Sequence, residues 1–289
     1  MTAKTLVNRH TAVRDDIGDL ITCRPVPGPT LDMLNPFLFL NHHGPQTYAP
    51  HNRGLPFGPH PHRGFETVTF MIEGELAHRD TGGHESVIGA GGVQWMTAGS
   101  GLVHAEVSPE AFREQGGPLE ILQLWLNLPA RLKMTSPRYT GLQRSEIPSV
   151  TTPDGMGSVQ LIAGEWGSAT GPFVSMTGVF MTVATLRKGG AVTFDGIGGR
   201  VPFLYVIRGT VSIGSHGGDA VPQFTLAQLS DAGDSVGFVA QDDALVLFGH
   251  ADPIDEPVVS YGPFVMNTRE EISQAIADYQ AGKFGAMAG

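Results

Sequence analysis

The chain has 289 residues, 41% of them hydrophobic, and a formal net charge of −10 at neutral pH. That length gives room for a large core and fits two domains of ordinary size. Lys and Arg total only 18 and never cluster, which argues against a general phosphate-binding surface and so against direct nucleic-acid contact.

Cys23 is the single cysteine, so no intrachain disulfide can form, and the residue is expected to be a small buried apolar side chain. Residues 1–16 carry scattered charge in place of a signal-peptide core, and no apolar run approaches a membrane span. A cytoplasmic, reducing location is the expectation. The 39 glycines and 21 prolines favour many short turns, and hence β structure.

In chain order, Leu6 to Arg24 reads as one or two strands with an Asp-rich turn at Asp15–Asp16. Asn35 to Asn41 is a short apolar strand. His42 to Pro59, with four prolines and three glycines, reads as loop, and makes His42, His43 and His51 polar loop side chains. Glu66 to Ile72 is a strand, and Asp80-Thr81-Gly82-Gly83 is a hairpin signal. Val93 to Thr97 is the next strand. Leu122, Leu124, Leu126 and Leu128 alternate with Gln123, Trp125 and Asn127 along another. Pro129 to Val150 reads as the crossing between domains.

A second series of strands follows, and two stretches in it echo the first. Phe203 to Ser212 resembles Thr69 to Leu76, and Gly233 to Val236 resembles Gly91 to Gln94. These echoes indicate an internal repeat, two copies of one β-barrel. Thr268-Arg269-Glu270-Glu271 has the form of a helix capping box, followed by Ile272, Ala275, Ile276 and Tyr279 on one helical face and a stop at Gly282.

Two short motifs carry chemistry. In a strand, residues i and i+2 face the same way. His60 and His62 therefore aim two imidazoles at one point, and His104 and Glu106 repeat the geometry with one imidazole and one carboxylate. If the two strands lie together, three nitrogens and an oxygen converge. That donor set suits a divalent transition metal and lacks the thiolates of most structural zinc sites. Aligning the repeats on their glycines puts Asp195 and Ile197 at the places of His60 and His62, and Val246 and Phe248 at those of His104 and Glu106. The second barrel is then expected to be metal-free. His216 and His250 read as isolated loop histidines.

Four stretches together resemble the pirins, members of the two-domain cupin family. They are His60-Pro61-His62-Arg63-Gly64-Phe65-Glu66-Thr67-Val68-Thr69, Gly101-Leu102-Val103-His104-Ala105-Glu106, Leu122 to Pro129, and Tyr261-Gly262-Pro263-Phe264-Val265-Met266-Asn267-Thr268. The resemblance implies an all-β chain of two stacked, jelly-roll-like cupin barrels with a short C-terminal α-helix. The expected division is 1–135 for the metal-binding barrel and 136–289 for the metal-free barrel with the helix. It further implies one divalent metal ion, usually iron and so Fe(II), held by His60, His62, His104 and Glu106. The general cupin pattern would nominate Glu66 instead. The pirin pattern nominates Glu106, and leaves Glu66, of the same strand parity as His60 and His62, as a group that could orient a histidine.

Two functions are open on this resemblance. One is a flavonol (quercetin) 2,3-dioxygenase, acting with O₂ on a small aromatic substrate, with Glu106 as the base. The other is an iron-dependent, redox-sensing regulator acting through a protein partner. A monomer is expected, with no direct nucleic-acid or membrane contact.

Overall fold

The computed structural model describes residues 2–214 and 218–287. His216 lies outside the described residues. Two compact units account for the chain. The first comprises Arg14–Cys23, Phe37–Ser145 and Ile254–Gly289, and the second Met1–Val13, Arg24–Pro36 and Glu146–Pro253.

Each unit is built on a pair of antiparallel sheets. In the first, the large sheet runs in the order Arg138–Leu142, Val93–Thr97, Phe65–Glu73, Gly117–Asn127, Phe37–Tyr48, Thr22–Val26, Val13–Arg14. The small sheet runs Phe57–His62, Leu102–Val107, Glu75–Asp80, Glu85–Gly89. Between them lies a core of Met71, Leu76, Ile88, Leu119 and Ile121. The second unit repeats the order. Its large sheet is Leu6–Thr11, Thr225–Leu229, Val201–Arg208, Ala244–Ala251, Phe180–Leu186, Gly157–Ala163, Ser149–Thr151, and its small sheet is Ala191–Asp195, Ser235–Ala240, Thr210–Ile213, Asp219–Pro222. Its interior is more aromatic, with Phe180, Phe194, Phe238 and Phe248 buried together. Each such side chain stabilises the fold by roughly 1.5–3 kcal/mol relative to exposure. The chain is thus all-β with two cupin-type barrels and a short C-terminal helix.

The units are interleaved, so they differ from the contiguous halves 1–135 and 136–289 at both ends and at the crossing. Leu6–Thr11 pairs with Thr225–Leu229, which places the N-terminus in the second unit. Arg138–Leu142, inside the expected crossing, pairs with Val93–Thr97 as an edge strand of the first. The helix Arg269–Gln280 packs Ile272 and Ala275 with Val103, Phe264 and Phe284, which places it in the first unit. Its start is fixed as expected: the Thr268 side chain accepts from Glu271 N, and the Glu271 carboxylate accepts from Thr268 N. No helix among the described residues is long and apolar enough to cross a membrane. Cys23 is partly exposed, not buried.

The pairing also corrects the alignment of the repeats. Gly74 and Gly209 are equivalent turns. Counting from them, Glu106 pairs with His78 as Phe238 pairs with Ile213. His104 pairs with His60 as Val236 pairs with Phe194. The second-barrel counterparts of His60, His62, His104 and Glu106 are therefore Phe194, Gly196, Val236 and Phe238, not Asp195, Ile197, Val246 and Phe248. The strand after Gly233 matches the one after Gly101, because the hairpins before them differ in length. None of the four counterparts carries a ligand side chain.

Candidate metal centre

The strands Phe57–His62 and Leu102–Val107 are antiparallel neighbours, with His104 opposite His60 and Leu102 opposite His62. Residues i and i+2 share a face, so this register turns all three histidines into the barrel interior. Their ring centroids lie 4.3 Å (His60–His104), 4.8 Å (His60–His62) and 5.0 Å (His62–His104) apart. One nitrogen from each falls within 4.8 Å of the others, a spacing that could hold a metal ion. His62 and His104 are buried, and His60 is half-buried at the solvent side.

Local hydrogen bonds set the tautomers. His60 Nδ1–H donates to Gly58 O at 2.7 Å, and His62 Nδ1–H donates to Pro263 O at 3.3 Å. Both rings then carry a lone pair on Nε2. His62 Nε2 and both nitrogens of His104 are buried and have no hydrogen-bond partner. Burial, then the neighbouring His60, pushes the His62 pKa down to about 3, with the Pro263 contact opposing. Burial, then His62, His60 and His78, holds His104 well below the usual imidazole range. Buried, unpaired polar atoms each cost about 1–3 kcal/mol. Several at one point, all kept neutral, fit a bound cation, and an all-nitrogen set without thiolate fits a first-row divalent metal.

Glu106 stands two residues beyond His104 on the same face and is also buried. Its carboxylate does not belong to the group of ligand atoms within 4.8 Å. Three donors of the opposite sheet hold it. Oε1 accepts from Thr69 Oγ1 at 3.1 Å and from Gln94 Nε2, and Oε2 accepts from Gln123 Nε2 at 2.6 Å. A carboxylate has about four lone-pair positions, so one on Oε2 is left for a metal or a proton. Thr69, Gln94 and Gln123 were not singled out from the sequence. Their signal was strand parity: Thr69 pairs with both Gln123 and Gln94, so the three share one face. The polar face of the leucine-alternating strand is thus the one that looks into the barrel, and Trp125 on it lies 5.5 Å from His62. Phe39 and Phe65 flank Trp125 at 4.6 and 4.4 Å.

Glu66 is placed elsewhere. It pairs with Leu126 and Thr97, on the face opposite to Thr69 and Gln123. The parity argument fails because Arg63 and Gly64 break the strand, and parity does not carry across a break. Gly64 turns with φ 88°, and a Cβ there would meet Val265 O at 2.0 Å, so only glycine fits. Thr97 Oγ1 donates to Glu66 Oε1 at 2.7 Å, and Oε2 has no partner. Burial pushes the Glu66 pKa up to about 7, against the Thr97 and Trp95 hydrogen bonds. A folded pKa raised above the unfolded one stabilises the fold in acid, and that stability is lost as pH rises from about 4.5 through 7. Glu66→Gln is therefore expected to stabilise the protein by about 1–3 kcal/mol at pH 8 and to change little at pH 5. Urea unfolding at the two pH values checks this.

His42 and His43 are also not loop residues. The strand Phe37–Tyr48 runs through them because the long Gly117–Asn127 strand pairs with it as far as Tyr48. His42 Nε2 lies 2.9 Å from Glu120 Oε1, and His43 Nδ1 lies 2.8 Å from Thr22 Oγ1. Both are buried, and neither belongs to the histidine cluster. His51 is exposed in a turn.

The C-terminal segment braces the ligand strand. Arg63 N donates to Pro263 O, and Val265 N donates to Arg63 O. The Arg63 guanidinium pairs with Asp278 at 2.8 Å and caps the Phe284 ring at 4.6 Å. The buried Lys133 ammonium donates to Gly64 O, Asn127 Oδ1 and Val265 O.

Comparison with known proteins agrees with this architecture. The Pirin family profile matches residues 20–126, and the Pirin C-terminal cupin domain matches residues 181–285. A pirin-like protein of Caulobacter vibrioides is 41% identical over 261 residues, covering 89% of this chain and 90% of its own. A Pseudomonas aeruginosa protein provisionally named a quercetin 2,3-dioxygenase is 41% identical over 251 residues, 87% of each chain. The crystal structure of quercetin 2,3-dioxygenase from Acinetobacter baumannii superposes with a TM-score of 0.91 at 34% identity, covering 98% of this chain and 99% of the other. The chain belongs to the pirin family.

Proposed function

We propose that the protein is a metal-dependent flavonol 2,3-dioxygenase of the quercetinase type, with iron(II) held by His60, His62, His104 and Glu106. The observation that carries the reading is the convergence of three imidazoles, with His62 Nε2 and both nitrogens of His104 buried and without a partner. The likeness to quercetin 2,3-dioxygenases supplies the substrate class. When bound, the metal supplies open positions for flavonol oxygens and redox chemistry with O₂.

The chain's own residues do the rest. His60 and His62 present Nε2 because Gly58 O and Pro263 O hold the opposite ring protons. The one open Oε2 position of Glu106 would serve the metal at rest and take the flavonol 3-hydroxyl proton in exchange for it. Thr69, Gln94 and Gln123 hold that carboxylate in place. Trp125, with Phe39 and Phe65 beside it, offers a flat apolar wall next to His62 for an aromatic ring.

The test is to load the protein anaerobically with iron, measure metal per chain, and then follow O₂ uptake with a small flavonol panel. One ion per chain and flavonol-dependent uptake are expected. Two tight ions per chain would refute the single-site assignment. One ion with no uptake on any flavonol would refute the dioxygenase assignment and leave the regulatory one.

A further inference from the structure

The second barrel keeps a cavity at the place where the first has its histidines. Its volume is about 340 Å³, and its lining includes Phe194 and Gly196, the counterparts of His60 and His62. Trp166, Phe180, Arg200 and His250 complete the wall, with Glu165 and Asp195 at the rim. The space suits a small ligand of one or two rings.

His250 is the informative residue. Expected from the sequence to be an isolated loop histidine, it lies on the strand Ala244–Ala251 and is only 9% exposed. Arg200 Nε–H donates to its Nδ1 at 2.6 Å. An arginine cannot accept, so Nδ1 must hold the lone pair and Nε2 the proton. Phe180 stacks on the ring at 4.7 Å and 12°, which fixes its plane. Burial, then Arg200, pushes the His250 pKa down to about 3, so the ring stays neutral. The result is an Nε2–H donor, held in a fixed plane, on a residue that lines the cavity.

The charges narrow the ligand. Arg200 is already spent on Asp252, Gly178 O and the His250 carbonyl. The rim adds two carboxylates, and the whole chain is at −10. An anion is therefore disfavoured. A neutral molecule with an acceptor oxygen for His250 Nε2–H, hydroxyl donors for the rim carboxylates and a flat face for Trp166 matches every group.

We propose that this cavity is a second, metal-independent binding site for an uncharged hydroxylated aromatic molecule bearing a carbonyl acceptor. The site does not depend on the function assigned to the histidine cluster.

The probe is 7-hydroxycoumarin, which is flat, carries one carbonyl and one hydroxyl and lacks a chelating pair. It is titrated into metal-free full-length protein at pH 6.5 and followed by fluorescence anisotropy and calorimetry. One saturable site is expected. His250→Phe keeps the ring stack and removes the donor, and should weaken binding by about tenfold or more. Gly196 has φ 75°, and a Cβ there meets nothing within 4 Å. Gly196→Asn tolerates that backbone and narrows the mouth, and should weaken binding similarly without lowering Tm. His62→Ala should leave binding within twofold. No saturable binding at millimolar probe, wild-type affinity in both cavity variants, or loss of binding in His62→Ala would each overturn the proposal.

Discussion

Glu106→Gln is expected to lower flavonol turnover by about 10² or more, measured at metal content matched to wild type. Gln keeps the shape and one oxygen but loses the charge and the basicity. The surroundings sharpen the test. Glu106 Oε1 accepts from Thr69 and Gln94, and Oε2 accepts from Gln123. A glutamine must present an NH₂ to one of these groups. If it faces Gln123, that side chain can flip and offer its own oxygen, at the expense of its contact with Trp125 Nε1 at 3.4 Å. The fold should therefore survive while the free oxygen position on the site side is lost. Flavonol binding, seen as the shift of its absorption band, should persist in part, without the further shift that marks the deprotonated form. Equal turnover in wild type and metal-matched Glu106→Gln would remove Glu106 from the base role.

The histidine cluster could be read from the sequence because its parts are local. His60 with His62, and His104 with Glu106, each lie within three residues, and strand parity is enough to bring each pair to one face. Parity failed where the chain bends. Glu66 shares numerical parity with His62, but Gly64 lies between them at φ 88° and resets the face. Features that depend on pairing across the sheet were not legible. The three side chains on Glu106 come from three strands, and only the register sets them together. His42 and His43 look like loop residues among glycines and prolines, yet a neighbouring strand draws them into a sheet. The same holds at large scale. The echo of Gly74 in Gly209 gave the repeat, but nothing local shows that Leu6–Thr11 completes the second barrel or that the C-terminal helix returns to the first.

His62→Ala is expected to reduce bound metal from one ion per chain to near none, and with it flavonol-dependent O₂ uptake to background. The fold should remain. Metal binding adds RT ln(1 + [M]/Kd), about 2.7 kcal/mol at a hundredfold excess over Kd, and only that increment should disappear. The core of the barrel does not run through His62, since Met71, Leu76, Ile88, Leu119 and Ile121 pack apart from it. The Pro263 carbonyl released by the substitution still accepts from Arg63 N. A second readout comes from pH. Burial pushes the His62 pKa down to about 3, while the unfolded chain takes up the proton near 6.5. Below about 6.5 the unfolded state therefore binds more protons than the folded one, and stability falls as pH drops toward 3. His104 acts in the same direction. Metal-free wild type should thus lose Tm between pH 7 and pH 4, and metal-free His62→Ala should lose less, because one of the two buried imidazoles is gone. Metal should steepen the wild-type decline further, since protons compete with it for the same nitrogens. A cooperative loss of secondary structure in His62→Ala at pH 7 and 25 °C would show instead that the ion is part of the fold, and identical pH profiles for the two metal-free proteins would show that His62 is not held neutral by burial.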